Sequence, residues 1–474
     1  MSFRTERDRV AHLLRRFGLG SSEAEIDFYG EGGYAAAVDR LLAFESIDEG
    51  YDTSPDLFRT GDQNQLNPRQ VQLWWIARLI VTKRPLQERL TVFWHDHFAT
   101  SAAKVVQGPM MANHIEVLRS NAAGSFRSLL KATIQDPAMV FWLDNQFNVK
   151  GKPNENLARE IMELFTLGIG HYTEEDVKET ARALTGWGLR RMRPNEPGAN
   201  GRVAEFRFYP NQHDGGLKTI RGQTGPFDGE DVLNMLCDDP QTARHIVTKF
   251  WEWFVYPKPE PALVDRLAGG WRRNGLDIKA LVREVALSTE FQSERAQRAV
   301  FKNPVDFAVA AVRQIGVGEP LRTALASSVD GRAPRLALAP VLTVQQSMRA
   351  MGMDLVYPPD VAGWETGPAW ITSATMVERI GFADRLFGAI APGSRRVQMR
   401  FPVFPLFAAN PTPEGAARRL VSVFDAPMPE SKMAGLFEAA AKAASGGRVT
   451  PQNANAVAAA VSRLIFGSPE FQMA

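Results

Sequence analysis

Residues 154–170 read Asn-Glu-Asn-Leu-Ala-Arg-Glu-Ile-Met-Glu-Leu-Phe-Thr-Leu-Gly-Ile-Gly. Leu157, Ala158, Ile161, Met162, Leu164, Phe165 and Leu167 recur at helical spacing and surround most of the axis. That pattern predicts a helix over 155–167, largely buried. Asn154 is placed to cap it, and Gly168 and Gly170 to stop it. Yet Glu155, Arg159 and Glu163 fall at i, i+4 and i+8 on one face, with Glu160 three residues before Glu163. An unpaired buried carboxylate costs several kcal/mol, so these charges need partners. Two readings stand open. In one, Glu155, Arg159 and Glu163 form an ion-pair ladder that reaches Glu179 or Arg182 on the next helix. In the other, Glu160 and Glu163 face a metal or work as general acid and base.

Helical period dominates on both sides of this segment. Val10, Leu13, Leu14 and Phe17 share one face. Pro68 opens an apolar helix through Val81, and Pro85 opens another to about His97, each at a first-turn position. Helical patterns follow over 122–135 and 137–143. Thr173 and Asp176 make a capping box for a helix to about Leu184. Helices resume from Asp231, with starts at Pro240, Pro261, Asp277, Pro304 and Pro340, and two Ala-rich helices close the chain around Gly446-Gly447. The stretches 46–68 and 351–368 read as loops. The interval 187–228 differs, being rich in Gly, Pro and Arg. Glu205 to Tyr209 alternates as a half-buried strand does, and Lys218 to Ile220 is placed to complete a hairpin with it.

The expected fold is therefore mainly α: a multi-helical globular array with a small β-hairpin insertion near 187–228. Residues 1–320 are expected to share the main core, with 321–474 a helical region packed on it. One five-residue echo, Ser288-Thr-Glu-Phe-Gln and Ser468-Pro-Glu-Phe-Gln, follows an apolar helix each time. Two copies are too few for a solenoid.

Composition narrows the function. Lys and Arg total 55 against 53 Asp and Glu, so the chain is near neutral. No concentrated basic stripe suggests a nucleic-acid partner; Arg190, Arg191 and Arg193 give way at once to Glu196. A single cysteine, Cys237, rules out an internal disulfide framework. The start, MSFRTERDRVAHLLRRFGLG, has no uninterrupted apolar core of signal-peptide length, and no run of about 18 apolar residues predicts a membrane span. A cytoplasmic location is expected on these grounds. Walker, dinucleotide, Gly-x-Ser-x-Gly and His-Glu-x-x-His motifs are missing.

Beyond the carboxylate helix, three groups bear on chemistry. His95 and His97, in Phe-Trp-His-Asp-His-Phe (93–98), diverge by roughly 200° on a regular helix and converge only if the helix ends between them. Converged, and joined by Glu160 and Glu163, they would suit Zn, Mn or Fe. Otherwise one packs beside Trp94 and the other bonds a backbone carbonyl. His213-Asp214 precedes Gly215-Gly216, where Asp214 is placed to orient the imidazole and Lys218 to hold an anion, unless the whole is an ordinary turn. Trp364, in a Pro/Gly-rich loop, is placed either to stack on a substrate or to pack in the core.

Several segments together resemble the domain of unknown function 1800 family: His12 to Gly18 (HLLRRFG), Phe93 to Phe98 (FWHDHF), Pro153 to Glu160 continuing to Glu163-Leu164, Asp176 to Trp187 (DVKETARALTGW), Phe206 to Lys218 (FRFYPNQHDGGLK) and Pro358 to Trp364 (PPDVAGW). The chain departs from the pattern at Phe165, where many relatives carry histidine. The resemblance implies a bacterial protein often encoded beside the domain of unknown function 1501 family, whose members look like sulfatases and are often exported. It implies no catalytic residues.

Three functions follow as expectations. The first is a metal-assisted hydrolase whose buried site collects Glu160, Glu163, Arg159, His95 or His97, and His213 with Asp214 around a divalent metal. The second is a carboxylate-bridged di-metal oxidoreductase. The third is a non-catalytic binding or escort partner of the sulfatase-like neighbour, cytoplasmic or co-exported to the periplasm with it. That reading predicts dispersed histidines, a saturated ion-pair ladder and a large apolar surface patch.

Overall fold

Reciprocal capping boxes start helices at Thr5–Asp8, Asn67–Gln70, Thr173–Asp176, Asp228–Asp231 and Thr372–Thr375, each satisfying two amides that the first turn leaves without partners. A first-turn proline, Pro68, also opens the Asn67-capped helix, and prolines start others at Pro85, Pro137, Pro240, Pro261 and Pro304. The structure, a computed structural model, describes residues 3, 5–59, 66–193, 196, 199, 201–328, 331–388, 399 and 401–474. Residues 60–65 of the expected 46–68 loop, and five positions between 194 and 200 in the insertion, lie outside the described residues. The fold is mainly α, with short helices packed in many directions, and the helices Pro68–Val81 and Pro85–His97 begin and end where proline and periodicity place them.

Three details differ from expectation. The strands form two antiparallel hairpins rather than one. β1 (Trp187–Arg191) pairs with β2 (Ala204–Phe208), while β3 (Lys218–Ile220) pairs with β4 (Gln223–Gly225). Arg221 and Gly222, both at positive φ (51° and 74°), make the two-residue turn between β3 and β4, which claims Lys218–Ile220 for its immediate neighbour. The helix expected from Pro340 begins earlier, at Arg335, and carries Pro340 inside it. Finally, the helix over 155–167 is not uniform: Asn156–Glu160 is α and Ile161–Thr166 is π.

Buried apolar side chains form two clusters. One runs through residues 10–44, 86–98 and 118–296, the other through 57–81, 102–115 and 305–471. Neither is a contiguous stretch of chain. Trp142 and Trp253 pack against both, marking the seam between them.

Candidate functional site

The Pro85–His97 helix is buried along its whole length, so each of its polar side chains must find a partner within the protein. Arg89 makes a two-pronged ion pair with Asp306, and Glu88 takes the Arg119 guanidinium at 2.5 Å and the Trp75 indole N–H at 3.2 Å. At the C-terminal end, His95 and Asp96 clamp the 351–368 loop. His95 Nε2 accepts the Val356 amide at 3.1 Å, and Asp96 Oδ1 accepts the Trp364 amide at 2.9 Å. Nε2 being the acceptor, the proton of the neutral ring lies on Nδ1. Burial lowers the His95 pKa to about 3 and raises that of Asp96 to about 6.

The clamp holds the loop in uncommon backbone. Val356, β-branched, sits at φ 71°, a conformation that costs about 1–3 kcal/mol. Gly363 sits at φ 89°, and a Cβ there would lie 2.5 Å from the Asp96 carbonyl oxygen and 2.6 Å from its Oδ1. Only glycine lets the loop backbone approach Asp96 so closely.

Beside this clamp lies a cavity of about 390 Å³, where the two cores meet. Phe93, Trp253, Phe301 and Trp370 supply apolar walls, and Asp96, Lys249 and Asp306 reach it from its sides. Glu252 and Lys258 stand at its exposed rim, where Glu252 Oε1 accepts the Lys258 amide at 3.1 Å. Asp306 is already engaged by Arg89. Lys249 is different. It is partly buried and within electrostatic reach of Asp96 and Glu252, yet among the described residues it makes neither ion pair nor hydrogen bond. Burial lowers its pKa.

The residues expected from sequence are placed as follows. His97 Nε2 donates to the Phe165 carbonyl at 3.3 Å, and its ring lies edge-on to Trp94 at 5.6 Å. Burial holds its pKa far below the ordinary histidine value. Arg159 pairs with Glu155 at 3.3 Å and Glu174 at 2.8 Å. Glu163 accepts the Tyr172 hydroxyl instead of joining that ladder. Glu160 is half-buried; burial first, then Glu163, raises its pKa. His213 Nδ1 lies 3.0 Å from the Thr185 carbonyl oxygen, and Asp214 takes Arg182 at 2.8 Å, which lowers the Asp214 pKa to about 2. Lys218 is buried, and its Nζ donates to the carbonyls of Asp214 and Gly216 at 2.5 and 3.0 Å, closing that turn. Trp364 is only 7% exposed, with its ring 5.5 Å from His95. Among the described residues, no three His, Cys, Asp or Glu gather in a way that could hold a metal ion.

Sequence reasoning passed over Asp96 and Lys249. Asp96 lay in view between two histidines. Lys249 lay on a helix read as core, Pro240–Phe254. One signal was available: His245, Lys249 and Trp253 recur at i, i+4 and i+8, putting a lone ammonium on an aromatic face.

A family model described as "Protein of unknown function (DUF1800)" matches residues 12–473, nearly the whole chain. The chain belongs to that family of uncharacterised proteins. No curated protein and no solved structure matches it. No helix of the described residues is long and apolar enough to cross a membrane.

Proposed function

We propose that the cavity between Asp96 and Lys249 binds a small, mainly apolar molecule and that the two side chains move protons on it. One observation carries this reading: an ammonium with neither ion pair nor hydrogen bond among the described residues lines an aromatic cavity beside a carboxyl raised to about 6. Of the neighbouring buried charges, Arg89 is paired with Asp306 and Glu88 with Arg119, while Lys302 lies over the Phe471 ring. Lys249 differs from Lys302 in where it stands: it is partly buried and lines the cavity instead of covering a core ring. An amine and a carboxyl whose environments push their pKa values toward neutrality form a donor–acceptor set suited to general acid–base work. The cavity volume is within the range of small-molecule sites, and seams between cores are where such sites occur.

The metal-assisted hydrolase and di-metal oxidoreductase readings require Glu160 and Glu163 to converge with His95 or His97. The acid–base reading uses none of them and routes no step through a metal. The test is a fragment screen by thermal shift on wild type, Lys249→Met and Asp96→Asn. Neutral aromatic fragments should raise Tm by a few degrees in wild type and lose most of that effect in both variants. Equal shifts in all three proteins would overturn the reading.

A second reading, escort of a sulfatase-like exported partner, is supported by Arg159, which Glu155 and Glu174 already take up. It predicts co-purification with that neighbour when both are expressed together; independent elution of the two would sink it.

A further inference from the structure

We propose that the molecule bound in this cavity is an aldehyde or ketone with an apolar, preferably aromatic body, and that Lys249 Nζ captures it as an imine. This rests on the cavity reading above. The ligand class follows from the charges of the walls. An anion would meet Asp96, Asp306 and Glu252, and a cation would meet Lys249 and Lys258. A neutral carbonyl compound suits both, its carbon toward the amine and its oxygen toward the acid. Phe93, Trp253, Phe301 and Trp370 offer ring faces and edges to an aromatic body.

Imine formation asks for an amine that no carboxylate has claimed. Lys249 meets this condition: it lines the cavity and holds neither ion pair nor hydrogen bond among the described residues. Its partly buried position also favours the neutral amine, the nucleophilic form. Asp96 is the group left to carry protons. Arg89 holds Asp306, and Glu252 stands at the exposed rim. Asp96 Oδ1 takes the Trp364 amide, which leaves Oδ2 for the ligand.

The step balances without an oxidant or reductant. The amine lone pair forms the C–N bond while the carbonyl π pair moves to oxygen, which takes a proton from Asp96. The nitrogen returns a proton to Asp96, giving the neutral carbinolamine. Asp96 then protonates the hydroxyl, water leaves as the C=N bond forms, and the remaining N–H proton returns to Asp96. The sum is carbonyl plus amine to imine plus water.

The test uses the full chain with benzaldehyde. Sodium cyanoborohydride, added as the trapping reductant, fixes the imine as a benzyl amine, and peptide mapping locates it. The expected result is one benzyl group per chain, on Lys249, formed about tenfold faster than on exposed lysines. Asp96→Asn should slow it, and Lys249→Arg should leave the other lysines at their basal rate. Tryptophan fluorescence is titrated in parallel without reductant. Saturable quenching with no preference for Lys249 would overturn the imine and leave the cavity reading intact. No quenching and no preference would overturn both. If a variant does not fold, the wild-type peptide map decides alone.

Discussion

Lys249 costs the fold something and, among the described residues, repays it with neither ion pair nor hydrogen bond. A partly buried ammonium loses hydration, and among the described residues this one gains no ion pair in return. Lys249→Met keeps the aliphatic stem and removes the charge, so it should stabilise the chain by about 1 kcal/mol while abolishing fragment binding. A urea midpoint that rises at unchanged slope would bear this out; a midpoint that falls would make Lys249 structural. Gly363 carries the opposite expectation. Ala there meets both an unfavourable φ and the Asp96 oxygens, so Gly363→Ala should destabilise by about 2 kcal/mol and weaken binding through Asp96. Urea unfolding and the same fragment titration check both halves. At this scale sequence is least legible. Asp96 and Lys249 are 153 positions apart, and no spacing rule joins them. Lys218 shows the converse: a charge that looked placed for an anion closes a turn by bonding two carbonyls.

Among elements, the π segment Ile161–Thr166 shows how far periodicity reaches. Apolar spacing located the helix and its glycine stop. It could not reveal the wider turn, in which Leu167 N–H bonds the Met162 carbonyl five residues back. Carbonyls there are completed from outside: His97 donates to Phe165, His245 lies 3.1 Å from the Leu164 oxygen, and Gln241 donates to Leu167 at 2.9 Å. Those partners come from helices elsewhere in the chain, which is why the local sequence does not announce them. His245→Phe should therefore cost about 1–2 kcal/mol and speed amide exchange around 164–168. Unchanged exchange would mean the π turn stands on its own packing. The Ser-x-Glu-Phe-Gln echo was legible and is now explained. Ser288 donates to Val285 and Ser468 to Ile465, each at 2.7 Å, and Phe291 and Phe471 are fully buried, one in each core.

For the molecule as a whole, composition and helical period were enough to indicate a mainly α chain. The interleaving of two cores was not, because it depends on which faces meet across hundreds of residues. The cores also bury several histidines in the neutral form. Burial lowers the pKa of His12, His95, His97 and His245, to about 3 for His95 and about 4 for His245. The unfolded chain therefore binds more protons below its ordinary histidine pKa of about 6.5. Their contribution is fully present above that pH and is lost as pH falls toward the folded values, by roughly 1.4 kcal/mol per pH unit for each such histidine. Asp96, Glu49, Glu160 and Glu284 work in the other sense, since their folded pKa values are raised, while Glu23, Asp176, Asp214 and Asp425, all lowered, add to the loss on acidification. Denaturation followed from pH 7 to pH 4 should show a steep fall in stability, and a flat profile would contradict the buried neutral rings.

The most direct test of the central claim is a crystal structure of the wild-type chain soaked with benzaldehyde. Density for the ligand is expected between Asp96 and Lys249, against Trp253 and Trp370, with Nζ within bonding reach of its carbonyl carbon. Lys249 closed onto Asp96 or Glu252 as an ion pair, with the cavity filled by side chains, would contradict it.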